Sequence, residues 1–148
     1  MDDRFADWMA ALEARHLSDL RFPEVSRALR ALSSTYGERR ETLAKGAALD
    51  GAGKRAAFAL FYGPLHYLLL REIVSALPGA TRQMDTLVDL GCGTGASGVA
   101  WAASAEAPTS AKASAGKSMP LKLVGIDRHP WAAGEAAWTY RAFGLSQS

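Results

Sequence analysis

The sequence predicts a mixed α/β fold: a helical N-terminal segment followed by the first β-α-β-α of a parallel sheet. Two observations carry this. Residues 1–79 place apolar side chains at helical spacing and show no apolar–polar alternation. From Thr86 onward, two short β-prone runs appear, each followed by a helical stretch. The division predicted is a helical cap segment over 1–80 and a sheet domain over 81–148, with a flexible insertion at 106–120.

Phe5, Trp8, Met9 and Leu12 mark an amphipathic helix over Asp2–His16, and Ser18 suits a capping turn after it. Pro23 fits the first turn of a second helix, where a missing N–H costs nothing. Val25, Leu29, Leu32 and Tyr36 form that helix's stripe, and Gly37 is its expected end. Glu38–Ala48 reads as a weaker, polar helix, and Asp50–Gly53 as a turn. Lys54–Leu77 is helical and strongly apolar. Pro64 should kink or divide it, because proline removes a donor and crowds the preceding turn; Pro78-Gly79 should stop it.

Thr86–Leu90 reads as the first strand, Ala96–Ala105 as a helix and Leu121–Ile126 as the second strand. Pro130 opens a last helix, which Gly144 closes. Trp101, Trp131 and Trp138 fall on helix faces and are expected in the core. Glu106–Pro120 is almost entirely Ala, Ser, Thr, Lys, Gly and Pro, a composition with nothing to anchor it in a core.

The 148 residues carry a net charge of +2, spread over both halves. That balance demands neither nucleic acid nor an anionic membrane as partner. Cys92 is the one cysteine, so no intrachain disulfide can form, and three scattered histidines give no zinc pattern; a cytoplasmic location and no metal are expected. No apolar run reaches the roughly 18 residues of a membrane helix.

The informative segment is Asp89-Leu90-Gly91-Cys92-Gly93-Thr94-Gly95. A strand turning sharply into a helix needs glycines for positive φ, and their missing β-carbons let a ligand approach the backbone. The helix behind offers free N–H groups. The second strand ends in Asp127; in a nucleotide site, a carboxylate at that strand end can accept hydrogen bonds from both ribose hydroxyls.

These two segments resemble the first two motifs of class I S-adenosylmethionine (SAM)-dependent methyltransferases: an acid followed by G-x-G-x-G, and Val124-Gly125-Ile126-Asp127. The resemblance covers about residues 84–145. It implies a Rossmann-like parallel sheet, here truncated, with SAM as cofactor and methyl transfer as the activity of a longer protein. It implies cofactor contacts from Gly91, Cys92, Gly93, Thr94 and Gly95, a ribose contact from Asp127, and Arg128 and His129 flanking the adenine. Asp89 would anchor the loop or the methionine ammonium. The methyl acceptor and the catalytic residues are unknown from this sequence. The family's later motifs are not found, so the chain by itself is expected to be inactive.

Gly93-Thr94-Gly95-Ala96-Ser97-Gly98 also satisfies the G-x-G-x-x-G of a nicotinamide- or flavin-binding fold. That reading leaves Asp89 and Gly91 without a task. A third alternative is a non-catalytic methyltransferase-like module in ribosome assembly or rRNA binding. Cys92, between two glycines and far from any histidine, reads as packing rather than a nucleophile. His66, near Tyr62 and Tyr67, reads as part of a kinked core helix.

Without apolar anchors, 106–120 cannot offset its ordering entropy. Deleting about ten of its residues should change stability by less than roughly 0.5 kcal/mol in urea unfolding, the range of surface substitutions. A larger loss would show that the segment packs.

Overall fold

The structure, a computed structural model, describes residues 3–38, 49–80, 84–106 and 121–147. Residues 39–48 and 107–120, read above as a weak helix and a loop, lie outside the described residues, as does the side chain of Tyr36. The chain forms two compact units, 1–65 and 66–148. Their division falls inside a helix, some twenty residues before the change of sequence character at Thr86.

In the first unit, α1 spans Asp3–His16 and α2 spans Phe22–Glu38. On α1, Phe5, Trp8 and Leu12 are buried, and the rings of Phe5 and Trp8 lie 5.9 Å apart. On α2, the expected stripe buries Val25 and Leu32, with Leu29 partly buried. Gly37 does not stop α2, which continues through Glu38. At the N-terminus of α2, the Arg21 N–H donates to the Glu24 carboxylate at 2.8 Å, satisfying one of the donors a helix start leaves open.

The turn expected at Asp50–Gly53 is shorter than read. Gly51, at φ 89°, caps α3 (Ala52–Ala57), and Gly53 is already helical. A β-carbon at Gly53 would stand 3.3 Å from the Ala28 methyl, so the glycine serves the close approach of α2. Val25, Ala56 and Ala57 form the centre of this packing, with Leu17, Leu20, Leu29 and Leu60 around it.

Pro64 perturbs its helix as expected, through a widened turn. Residues Phe58–Tyr62 are π-helical, and the Gly63 N–H bonds back five residues to the Phe58 carbonyl. Proline crowds the carbonyl four residues back, which is that of Leu60, inside the widened stretch. The α-helix resumes as α4, Gly63–Ala76.

The second unit holds the sheet. Strand β1 (Thr86–Leu90) pairs in parallel with β2 (Lys122–Ile126), Leu90 opposite Ile126. Helix α5 (Ala96–Glu106) follows β1, and α6 (Pro130–Ala142) follows β2. Two strands were legible, but a third exists: β3, Ser146–Gln147, pairs in parallel with β2. Two polar residues carry no alternation to read. What makes the strand is the turn before it, where Gly144 (φ 72°) ends α6 and the Leu145 N–H bonds to the Tyr140 carbonyl.

Side chains alternate across the sheet. Leu123 is buried under the two helices, whereas Val88, Leu90 and Ile126 on the opposite face are exposed. The three tryptophans expected in the core are only half-buried. Ala132, Ala136, Tyr140 and Phe143 take the inner face of α6 instead, and the Phe143 ring lies 5.4 Å from that of Tyr67 on α4. Among the described residues no helix is long and apolar enough to cross a membrane.

Leu12 has no solvent exposure. Leu12→Ala should lower unfolding stability by about 2–5 kcal/mol, the usual loss for a buried leucine. Phe22→Ala, at a side chain 72% exposed, should stay within about 0.5 kcal/mol in the same urea titration.

Candidate functional site

The glycine loop leaves β1 at its C-terminal end and is stitched at once to the end of β2. The N–H groups of Gly91 and Cys92 both donate to the Ile126 carbonyl, at 2.8 and 3.1 Å. Gly95 N–H closes the turn on the Cys92 carbonyl at 2.7 Å, and Val99 N–H to Gly95 carbonyl begins the α5 ladder. Gly91, Gly93 and Gly95 all have positive φ, at 72°, 53° and 81°. A residue with a β-carbon is strained there.

Asp127 stands directly beside this loop. One carboxylate oxygen accepts the Gly93 N–H at 2.9 Å, and the other accepts the His129 N–H at 2.8 Å. The acid at the end of the second strand and the glycines after the first are therefore within one side chain's reach. Arg128 is exposed next to it. His129 is the N-cap of α6, its Nδ1 accepting the Trp131 N–H at 3.2 Å.

Asp89 points the other way, under the loop. Its Oδ2 accepts the Gly98 N–H at 3.0 Å and the Tyr140 hydroxyl at 3.4 Å. Burial raises the Asp89 carboxyl above the ordinary carboxylate range; the Gly98 and Tyr140 bonds pull it back, and the charge of Asp127 adds a smaller push upward. Of the two tasks the sequence left open for Asp89, this geometry serves loop anchoring.

Cys92 is buried, and its thiol is pushed up to about 11, first by burial and then by the charges of Asp89 and Asp127. A protonated, buried thiol is no nucleophile at neutral pH. Thr94 is buried as well, beneath the loop's outer surface. His66 is exposed on α4, beside the buried Tyr67. Among the described residues, no group of three or more His, Cys, Asp or Glu side chains is placed to hold a metal ion.

The residue that the sequence reading missed is Tyr140. Its ring occupies the space that β-carbons would take at two glycines. At Gly95 a β-carbon would stand 2.7 Å from Tyr140 Cε1 and 2.9 Å from Ala136 Cα. At Gly125 it would stand 2.6 Å from the Tyr140 hydroxyl and 3.1 Å from Cys92 Sγ. Gly98 likewise lets α5 settle on the strands, its absent β-carbon 3.1 Å from Asp89 Oδ2 and from Leu123. The available signal was the small-residue face of α6, Ala132 and Ala136, which continues one turn later into Tyr140.

Comparison with protein-family profiles, with characterised proteins and with solved structures returned no match.

Gly91 and Gly95 separate two costs. Among the described residues a β-carbon at Gly91 meets nothing within 4 Å, so Gly91→Ala carries the left-handed backbone cost, about 1–2 kcal/mol. Gly95→Ala adds a collision with α6 and should cost about 1–3 kcal/mol more by overpacking. Equal losses for the two in thermal or urea unfolding would contradict the packing described.

Proposed function

We propose that the second unit is the SAM-binding part of a methyltransferase, built on a Rossmann-like sheet. The observation that carries this reading is the 2.9 Å contact between the Gly93 N–H and the Asp127 carboxylate. It joins the glycine loop and the strand-end acid at the C-terminal ends of two adjacent parallel strands, where open α/β sheets bind nucleotides. Gly91 is exposed and its missing β-carbon faces open space, as a surface meant for a ligand requires. Asp127 keeps lone pairs beyond the two N–H bonds it accepts, enough for a vicinal diol.

On this reading the residues divide their work. Gly91 and Gly93 let the methionine and ribose portion approach the backbone. Asp127 holds the ribose hydroxyls, Arg128 and His129 border the base, and Asp89, Cys92, Thr94 and Gly95 support the loop from beneath. SAM bound there would present an activated methyl group to an acceptor whose chemistry these residues do not specify.

One observation favours a second reading. Gly98 packs against the strands as the third glycine of a dinucleotide fingerprint does. Against it, the strand before the loop carries Asp89 with its carboxylate engaged, and a dinucleotide strand has no use for that group.

Calorimetric titration with SAM and with NAD decides between the two. The proposal expects SAM to bind and NAD not to. Asp127→Ala should then weaken SAM by roughly 1.5–3 kcal/mol for each charged hydrogen bond lost. NAD binding with SAM ignored would overturn the proposal.

A further inference from the structure

We propose that Tyr140 is a positioning residue of the glycine loop, fixing the loop's ligand face through Asp89 without touching the ligand itself. Its importance for a cofactor rests on the nucleotide-site reading above; the positioning does not.

Tyr140 is 2% exposed and lies on the covered side of the loop. Its ring fills the spaces at Gly95 and Gly125, so one side chain meets both the loop's end and the strand beside it. Its hydroxyl donates to the same Asp89 oxygen that accepts the Gly98 N–H. That single oxygen is the point where β1, the first turn of α5 and α6 are tied together. The loop between Asp89 and Gly98 is thus held at both ends by one carboxylate, and Tyr140 is the only side chain bonded to it among the described residues.

The carboxylate ties these elements most strongly while it is charged, because an ionised acceptor makes the stronger bonds. The titratable groups that face it are Tyr140 from α6, Cys92 from the loop and Asp127 from beyond β2; α5 contributes the Gly98 N–H. A hydroxyl donating to a carboxylate favours its charged form. With the hydroxyl removed, Asp89 takes up its proton at higher pH, and the loop loosens there with it.

The test uses the full unliganded chain and follows backbone amide shifts by NMR as a function of pH. Gly98 reports Asp89 directly. Gly91 and Gly95, whose N–H groups bond to carbonyls, report the loop. The three should share a midpoint. Tyr140→Phe, which keeps the ring, should move that midpoint to higher pH, and Asp89→Asn should abolish the transition. Asp89→Asn leaves Tyr140 and both glycines in place, so its effect on the loop amides stands even where Tyr140→Phe folds poorly. A Gly98 midpoint indifferent to both substitutions, or Gly91 and Gly95 amides that do not follow it, would overturn the proposal.

Ligand titrations of the same variants separate the two readings. Where SAM binds, Tyr140→Phe should move the acid limb of its affinity upward in pH; a merely structural tyrosine would lower affinity by one factor at every pH, and that result also counts against positioning. A chain that binds neither SAM nor NAD removes the cofactor reading and leaves the amide result to decide the role of Tyr140.

Discussion

Helix α6 can lie against the sheet only because Gly95 and Gly125 have no β-carbon. Tyr140 sits in both gaps, with contacts that would fall below 3 Å if either position carried even a methyl group. Everything at the site follows from this approach. It brings the N-terminus of α6, with His129 as its cap, to the end of β2. It buries Cys92 and half-buries Asp89. It leaves Gly91 exposed on the loop's opposite surface, with no atom of the described residues within 4 Å of where its β-carbon would stand.

The glycines of this segment therefore do two different things. Gly91, Gly93 and Gly95 supply backbone shapes that other residues adopt only at a cost. Gly95, Gly98 and Gly125 supply close packing, between helix and loop, helix and strand, and helix and strand again. Gly95 belongs to both groups, which makes it the least replaceable of them. A sharp turn and a tight interface reinforce one another: the turn aims α5 at the strands, and the interface holds the turn in place.

Much of this was legible in the sequence for local reasons. Thr86–Leu90 is a run of β-prone residues ended by glycine, and its strand has those bounds. Pro64 announced a perturbed helix because proline's missing donor is a property of one residue. The glycine loop was read after the first strand and Asp127 at the end of the second, and the Gly93–Asp127 contact brings the two together. What failed was non-local. The tryptophans were placed in the core from their helix faces, but on α6 the covered positions go to Ala132, Ala136 and Tyr140, and Trp131 and Trp138 stay half-buried beside them. Ser146–Gln147 is a strand because of where Gly144 turns the chain, not because of its own residues. Tyr140 drew no reading at all, since its partners Asp89, Gly95 and Gly125 are distant in sequence.

Asp89 and Asp127 show how a fold assigns different tasks to like groups. Both follow a hydrophobic strand run, and the register makes Asp89 face Gly125. The difference is one of position along the pleat. Asp89 lies within β1, on the side that the helices cover, so its charge is desolvated and must be held by donors. Gly98 and Tyr140 supply them, and the carboxylate becomes a fastener. Asp127 lies one residue past the end of β2, where the alternation of faces no longer applies and solvent reaches it. Its bonds are to backbone N–H groups at its edge, and they orient the carboxylate without enclosing it. The two acids thus divide the loop between them: the first holds it from beneath, and the second orients its outer edge.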